Sequence, residues 1–395
     1  MRFLTKEVLK GFDKYKYSSK DTSPLSNYVM HPFWDWLVQF IPIWLAPNLM
    51  TFIGFLLTVI NFLLLAYLDP DYSASNLGSK FKIPSVIWLI VGIFNFVAHQ
   101  LDGTDGKQAR RTGTSSPLGE LFDHGCDSWS VSLLPLTMIS LFGTDMYGAG
   151  IWQMFLVVWT MIICFVLSHW EKYLTGILYL PWGYDFGQLG ATIVCLATAM
   201  CSTNALKIVL INSITMAQLG IYCVIISVVA FSIPMTIYNI SQSYRLKTGR
   251  MLNFSEAFRP LVSILILLFA SSIWALFSPT DILTRNTRLF LFVLGTAASN
   301  ITVQLIISQM SQTRSELINP FALAYFTCVL GIHLFRGVIL HWELLILWIM
   351  CITFTIGQIL SAVFIVKDLC VHLNIHAFSI SYKLKNDPAN NQINQ

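Results

Sequence analysis

The residues best suited to chemistry lie in one short stretch, residues 101–128, which reads LDGTDGKQARRTGTSSPLGELFDHGCDS. The chain has only 20 acidic residues in 395, and five of them fall here: Asp102, Asp105, Glu120, Asp123 and Asp127. Carboxylates a few ångströms apart in a low dielectric repel one another, so such a cluster takes up protons or binds cations. Hard oxygen ligands without thiols favour Mg²⁺ or Mn²⁺ over zinc. The stretch therefore predicts a site for divalent cations.

Helical spacing puts the first two acids on a common face. A helix turns by about 100° per residue, so Asp105 lies at about −60° from Asp102. Gly106 and Ala109 share this face, at about +40° and about −20°, and their small size would let a ligand approach the backbone. Arg110, one turn beyond Gly106, is placed to pair with a phosphate. This half of the stretch predicts a phosphate-bearing ligand beside the cations.

The second half repeats the arrangement after Pro117, a residue that suits the first turn of a helix. Relative to Glu120, His124 lies at about +40° and Asp127 at about −20°. Asp123 lies on the same face, at about −60°. Two such helices facing each other at a membrane boundary would enclose an acidic pocket, and two metals about 3.5–4 Å apart form a clamp for phosphoryl transfer. The alternative is a solvated polar loop, which the matched spacing on both sides disfavours.

The composition indicates that these helices cross a membrane. Of the 395 residues, 55% are hydrophobic and only 11% are charged, and the mean hydropathy is +0.65. A soluble domain carries about a quarter charged residues, so this composition argues strongly against a water-soluble protein. High hydrophobicity with a net charge of only +4 excludes disorder. The eight cysteines are scattered without a CxxC pair, which argues against a disulfide framework or a structural zinc site.

The predicted fold is all-α: a polytopic membrane protein with about ten transmembrane helices and an N-terminal interfacial amphipathic helix. The aromatic segment 28–48 is interrupted by prolines, so it is better suited to lie in the interface than to span the bilayer. The fifth span is short and the third has a polar first half. The predicted spans are 49–68, 84–101, 118–142, 150–168, 187–203, 217–240, 260–278, 288–308, 319–336 and 344–366.

The distribution of Lys and Arg predicts the orientation. With about ten spans both termini lie on the same side. That side receives 18 of the 24 Lys and Arg residues, including Arg2, Lys383 and Lys385. The positive-inside rule then places both termini in the cytosol. The opposite side receives Lys80, Lys82, Lys207, Arg285, Arg288 and Arg336.

The acidic stretch resembles the signature of the CDP-alcohol phosphotransferase family, D-x2-D-G-x2-A-R-x8-G-x3-D-x3-D. The segments WLAPNLMTFIGF (44–55) and LSHWEKYLTGILYLPWGYD (167–185) resemble the eukaryotic amino-alcohol phosphotransferases of this family. The likeness therefore extends along most of the chain, and about ten spans agree with that branch. All eight fixed positions of the signature match: Asp102, Asp105, Gly106, Ala109, Arg110, Gly119, Asp123 and Asp127.

The resemblance implies the reaction and its cofactor. Phosphoethanolamine would pass from CDP-ethanolamine to the free hydroxyl of diacylglycerol or alkyl-acylglycerol, giving phosphatidylethanolamine and CMP with two Mg²⁺ or Mn²⁺ ions. It also implies a homodimer in the membrane of the endoplasmic reticulum or Golgi, with no nucleic-acid partner. The expected organisation is a cytosolic N-terminal segment with the interfacial helix (1–48), a catalytic core of about six spans (49–240), about four further spans (241–366) and a flexible cytosolic tail (367–395).

The resemblance also assigns roles by motif position. Asp102, Asp105 and Asp123 would be metal ligands, with Asp127 completing the cluster. Asn48 matches a family position near the cytidine nucleotide, although it is equally suited to cap the first span. The implied substrate-binding residues are Asn48, Gly106, Ala109, Arg110 and Gly119.

The general base that takes the proton of the attacking alcohol has two candidates. A carboxylate that ligates two divalent metals is a weak base, whereas imidazole exchanges protons near neutral pH. His124, oriented by Glu120 one helical turn before it, is therefore the predicted base, and the resemblance supports the same pair. Asp127 is the alternative.

Other functions and other polar residues stay open at this point. The 12 Trp and 14 Tyr residues supply material for an aromatic cage around choline, so a choline or dual-specificity enzyme is an alternative. A phosphatidyltransferase that uses CDP-diacylglycerol is a further alternative, but such enzymes are generally shorter than this chain, with about six spans. A divalent-cation transporter usually places its carboxylates near mid-membrane, whereas these lie at one end. The polar residues that either approach the pocket or only pack between helices are His99, Glu171, Lys172, Asn300, Gln304 and Gln309.

Overall fold

The computed structural model describes residues 3–210, 213–335, 337 and 341–380. The regular structure of this part of the chain is almost entirely helical, and its one sheet pairs two short parallel strands, β1 (Ser19–Lys20) and β2 (Leu178–Tyr179). Single π-helical or 3₁₀ turns occupy Ser26–Met30, Val38–Phe40, Thr203–Leu206, Val228–Ser232 and Arg259–Leu261. The α-helices are α1 (Lys6–Phe12), α2 (His31–Leu37), α3 (Pro47–Leu68), α4 (Ser85–Arg111), α5 (Pro117–Phe142), α6 (Ile151–Thr175), α7 (Gly183–Cys201), α8 (Met216–Ser227), α9 (Ile233–Leu246), α10 (Phe254–Phe258), α11 (Val262–Phe277), α12 (Ile282–Arg285), α13 (Thr287–Met310), α14 (Pro320–Leu334) and α15 (Glu343–Leu373).

The predicted all-α polytopic fold is confirmed, since seven helices in the described part of the chain are long and apolar enough to cross a membrane. Helices α5, α7 and α14 occupy the other three predicted positions. α5 and α7 begin with polar turns and α14 has only 15 residues, which is why these three are less apolar or shorter than the rest. The seven are Pro47–Leu68, Ser85–Arg111, Ile151–Thr175, Met216–Leu246, Phe254–Phe277, Thr287–Met310 and Glu343–Leu373.

Helix α13 lies at the centre of the bundle. Of its most apolar 18 residues, 89% are buried, and it packs against α5, α6, α11 and α15. A Cβ added at Gly295 would lie 2.3 Å from Ser132 Oγ, so the glycine is what allows α13 to approach α5 this closely. This contact holds the helix that carries the second half of the acidic stretch.

The segment before the first span is helical over only part of its predicted range, 28–48. The helical run ends at Phe40, because an extended residue precedes Pro42 and the chain then turns before α3. Trp36 and Trp44 are exposed, as expected for side chains that lie in the membrane interface. The segment is therefore helical, as predicted, but over a shorter range, and its place in the membrane interface stays a prediction.

Trp34 anchors this segment to α4. Its indole Nε1 donates to Gln100 Oε1 (2.9 Å), and its ring covers Gly103, where an added Cβ would lie 2.1 Å from the ring.

We expect Gly103→Ala to lower the free energy of unfolding by about 1–3 kcal/mol through overpacking against Trp34, measured by thermal unfolding in detergent. Gly190→Ala is the control, because nothing lies within 4 Å of the added Cβ. An unchanged midpoint for Gly103→Ala would contradict this packing.

The carboxyl end of the chain is more ordered than predicted. Helix α15 continues to Leu373, beyond the predicted end of the tenth span at 366, and residues 374–380 lie against the bundle. The predicted tail at 367–395 is thus structured in its first part, and residues 381–395 lie outside the described range. The cations Arg2, Arg336, Lys383 and Lys385, used in the orientation argument, also lie outside it.

Candidate active site

The acidic stretch forms two helices joined by a short turn, as predicted. α4 continues through the first two acids to Arg111, and the chain turns at Gly113, where φ is +64°. α5 then begins at Pro117, and the Ser116 hydroxyl accepts from the backbone N–H of Gly119 (3.3 Å) as its N-cap. The two helices therefore present their acidic faces at one end of the bundle.

The acids of both helices converge on Asp123. Asp102, Asp105 and Asp123 each offer a carboxylate oxygen, and these oxygens lie within 4.8 Å of one another. Asp123, His124 and Asp127 form a second group with ligand atoms at the same spacing. Asp123 belongs to both groups, so it lies at the junction of the cluster.

The donor set fits hard divalent cations. The aspartates supply oxygen ligands, and Asp123 Oδ1 is buried without a hydrogen-bond partner among the described residues, an arrangement that a cation would satisfy. The Tyr184 hydroxyl donates to Asp102 Oδ2 (2.5 Å). The Thr51 hydroxyl donates to Asp105 Oδ2. Such bonds from outside orient carboxylates towards a metal.

A cavity of about 410 Å³ opens beside the acids. This volume is in the range of small-molecule binding sites. Asp105, Glu120 and Asp123 form part of its wall. All five residues predicted to bind the substrate also line it: Asn48, Gly106, Ala109, Arg110 and Gly119.

Asn48 lies between the first span and α5. It is the second residue of α3, whose N-cap is Ala46, so the interpretation of Asn48 as a helix cap is wrong. A Cβ added at Gly119 would lie 3.4 Å from Asn48 Oδ1. The Asn48 side chain thus lies next to Gly119 at the cavity wall.

His124 and Glu120 share a face of α5, as predicted, but do not share a hydrogen bond. The distance from His124 Nε2 to Glu120 Oε1 is 3.9 Å, which is too long. Glu120 instead accepts from the Tyr15 hydroxyl (2.6 Å) and pairs with Lys172. His124 Nε2 is buried and has no hydrogen-bond partner within the described chain. Glu120 therefore does not orient the imidazole by direct contact.

Other neighbours hold the His124 ring. Its Nδ1 lies 3.8 Å from Asp123 Oδ2 and 3.8 Å from Asp127 Oδ2. On its other side, the His169 ring of α6 packs edge-on with a centroid distance of 5.1 Å. His169 Nδ1 in turn lies 3.1 Å from Gln309 Oε1 of α13. The imidazole is thus held between the acids of α5 and the helices α6 and α13.

Two tyrosines of the N-terminal segment, Tyr15 and Tyr17, also line the cavity. Burial and the neighbouring Glu120 raise the pKa of Tyr15, and burial raises the pKa of Tyr17 to about 12. Both phenols therefore stay protonated at neutral pH and can donate hydrogen bonds. Sequence reasoning missed them, because their distance along the chain from the acidic stretch gives no sign of contact.

Lys172 and Glu120 form a buried ion pair, with side chains 2% and 8% exposed. Removing the lysine would leave the buried Glu120 carboxylate without a compensating charge. We therefore expect Lys172→Met to lower the free energy of unfolding by about 3–5 kcal/mol, measured by thermal unfolding in detergent. The control is Lys107→Met, whose partner Asp35 is 66% exposed. That change should cost under about 1 kcal/mol. Equal unfolding midpoints for the two variants would show that the buried ion pair stabilises the protein no more than the exposed one.

His99 and Glu171 pack between helices instead of lining the cavity. His99 Nε2 lies 2.8 Å from Asp185 Oδ1, and both side chains are buried. Glu171 accepts from the Thr236 hydroxyl (2.8 Å) and from the Asn239 amide (2.8 Å), both on α9. Lys172 alone of the 171–172 pair reaches the acidic cluster.

The polar residues of α13 make contacts that differ from one another. The Asn300 amide donates to Gln358 Oε1 of α15 (2.8 Å), an interhelical bond of the kind common inside membranes. At Gln304 the acceptor is the backbone: its main-chain carbonyl accepts from the Ser308 hydroxyl (3.0 Å) within the helix. Gln309 contacts His169, whose ring packs against His124 of the candidate site.

Comparison with known proteins gives a consistent set of relatives. The family model described as CDP-alcohol phosphatidyltransferase matches residues 44–276. The chain is 46% identical over 378 residues to Ethanolaminephosphotransferase 1 from Homo sapiens. The aligned region covers 96% of this chain and 94% of the relative. The protein of the same name from Mus musculus is 43% identical over 382 residues, with the same shares covered. Cholinephosphotransferase 1 from Xenopus laevis is 29% identical over 405 residues, covering 96% of this chain and 91% of the relative.

Proposed function

Because this chain belongs to the CDP-alcohol phosphatidyltransferase family, we propose that it transfers phosphoethanolamine from CDP-ethanolamine to the hydroxyl of diacylglycerol or alkyl-acylglycerol. The products are phosphatidylethanolamine and CMP. The observation that carries the proposal is the convergence of the acids of α4 and α5 beside the cavity of about 410 Å³. Likeness to relatives named for ethanolamine supports the choice of head group.

In the proposed site the aspartates bind the metal ions, and the cavity wall binds the diphosphate. Two Mg²⁺ or Mn²⁺ ions held by Asp102, Asp105, Asp123 and Asp127 would neutralise charge on the diphosphate and on the attacking and leaving oxygens. Arg110, exposed in the cavity wall, pairs with phosphate oxygens. Gly106 beside it has no Cβ, so the diphosphate can lie against the backbone of α4.

In this proposal His124 is the general base. It takes the proton of the acceptor hydroxyl as that oxygen attacks the β-phosphorus and the bond to the CMP oxygen breaks. Its Nε2 is buried without a hydrogen-bond partner among the described residues, so a substrate hydroxyl that reached this nitrogen would meet an unpaired acceptor. Glu120, 3.9 Å away, stabilises the imidazolium electrostatically without bonding to it. Asp127 is the alternative base, less suited because it ligates metal.

A parallel assay tests the proposed substrate. Purified protein with diacylglycerol and Mg²⁺ or Mn²⁺ is offered CDP-ethanolamine and CDP-choline separately, and CMP release is measured. We expect the higher kcat/KM for CDP-ethanolamine and no release in the presence of a chelator. A preference for CDP-choline would reassign the head group, an alternative supported by the Xenopus laevis relative. No CMP release from either would reject the transferase and favour cation transport.

We further propose a homodimer in the membrane of the endoplasmic reticulum or Golgi, with both termini in the cytosol. The excess of Lys and Arg on the terminal side supports this orientation. The soluble CDP-alcohol would then reach the cavity from the cytosol. An N-terminal epitope that antibodies reach only after disruption of organelle membranes would contradict the orientation, and a monomeric mass by light scattering would contradict the dimer.

A further inference from the structure

A segment that the proposed reaction does not use lies in the wall of the cavity. It follows α15, whose last turn ends where Asn374 adopts a left-handed conformation (φ 53°). The next residues pass along the cavity instead of leaving the protein. The residues of this segment that line the cavity are Ile375, His376, Ala377, Ser379 and Ile380. We name residues 375–380 the C-terminal strap.

The strap is attached to the helices that carry the site. Its Phe378 ring packs against Phe52 of α3 (5.7 Å between centroids) and, edge-on, against Phe122 of α5 (5.6 Å). Ile380 is only 8% exposed, and the Ile375 N–H donates to the Cys370 carbonyl (3.1 Å). An apolar anchor in the middle and a hydrogen bond at the start therefore fix the path of the strap.

The other end of the chain holds the same region. The Asp368 carboxylate of α15 accepts from the backbone N–H groups of Phe3 (2.6 Å) and Leu4 (2.8 Å). His372 Nε2 lies 2.8 Å from Asp13 Oδ1. The N-terminal segment that supplies Tyr15 and Tyr17 to the cavity is thus tied to the helix that leads into the strap. The N-terminal segment and the strap therefore line the same cavity as α3, α4 and α5.

We propose that the C-terminal strap is part of the binding site for the nucleoside diphosphate, with the His376 imidazole contacting its polar groups. This inference rests on the proposed function and extends it. The His376 side chain is exposed and lies in the cavity wall, so its imidazole can form a hydrogen bond with a polar group of a ligand bound there. An enclosing wall also removes water, which strengthens the attraction between the negatively charged diphosphate and the Arg110 guanidinium in the same cavity wall.

Kinetics of two variants test the contact. We expect His376→Ala to raise KM for CDP-ethanolamine about 3- to 10-fold, through the loss of one hydrogen bond. Phe378→Ala, which releases the anchor, should raise it by about tenfold or more, while KM for diacylglycerol changes less than about twofold. His333→Ala on α14, a histidine outside the cavity, is the matched control. Unchanged KM for CDP-ethanolamine in both strap variants would overturn the inference.

A labelling experiment tests the strap without turnover. Ser379→Cys is alkylated with and without CDP and Mg²⁺, and the modified peptides are quantified by mass spectrometry. We expect CDP to slow alkylation at residue 379 several-fold and to leave the exposed Cys201 unaffected. Equal rates at residue 379 would overturn the strap as a nucleotide site. Protection in a protein that turns over no CDP-alcohol would instead reject the proposed function and keep the strap.

Discussion

Replacing Asp123 with asparagine should reduce turnover by about 1,000-fold or more, the equivalent of about 4 kcal/mol in the transition state. Asp123 is the acid shared by both groups of converging ligands, and one of its oxygens is buried without a protein partner in the described chain. Asparagine keeps the shape but removes the negative charge that holds a divalent cation. The loss should appear in kcat with Mg²⁺ and with Mn²⁺ alike. CMP release under saturating substrate measures it.

The control for this variant is Asp71→Asn. Asp71 lies in the loop after α3 and bonds the Ser73 hydroxyl (2.7 Å) at an exposed position. This change should leave kcat within about twofold, as is usual for surface substitutions. Turnover of Asp123→Asn within tenfold of the wild type would place the essential cation elsewhere.

Replacing His124 with alanine should lower kcat by about 10²–10⁴-fold, the range of general acid–base catalysis. Binding of CDP-ethanolamine should remain largely intact, because His124 does not line the nucleotide cavity. Binding calorimetry in a metal-containing buffer and single-turnover kinetics separate the two effects.

His333→Ala serves again as the matched histidine control, since its ring bonds the Val329 carbonyl on α14 (2.8 Å) and lies outside the cavity. Near-normal turnover in His124→Ala would remove His124 from the mechanism. If Asp127→Asn then lost turnover while still binding two cations, Asp127 would be the base.

The convergence of the acids was predictable because it depends on local geometry. Asp102 and Asp105 share a helical face by spacing alone, and the same holds for Asp123 and Asp127. The apolar runs likewise predicted where each long helix lies. Boundaries were less accurate: the segment at 28–48 is helical only to Phe40. Periodicity fixes the face of a helix better than its end.

The partners of the acids were not predictable, because they come from distant parts of the chain. Tyr15 is 105 residues from Glu120, and Lys172 is 52 residues beyond it. The predicted contact between Glu120 and His124 is absent for the same reason, since these two partners take up the Glu120 carboxylate. A helical face shows which residues can meet, and tertiary packing decides which do.

The position of the carboxyl end was also beyond sequence reasoning. Its composition indicates a flexible tail, yet α15 extends to Leu373 and the strap lies on the cavity. Phe378 and Ile380 are too few to form a periodic pattern. The Phe378 ring contacts Phe52 of α3 and Phe122 of α5, and no local pattern describes the surface that these two helices build.

The proposed mechanism depends on the carboxylates of α4 and α5 holding a pair of hard cations next to the cavity. An anomalous difference map from crystals grown with Mn²⁺ and CDP tests it most directly. We predict two manganese peaks about 3.5–4 Å apart among Asp102, Asp105, Asp123 and Asp127, with the diphosphate against Gly106 and Arg110. A map with manganese absent from these four aspartates, or with their side chains pointing away from one another, would contradict the account.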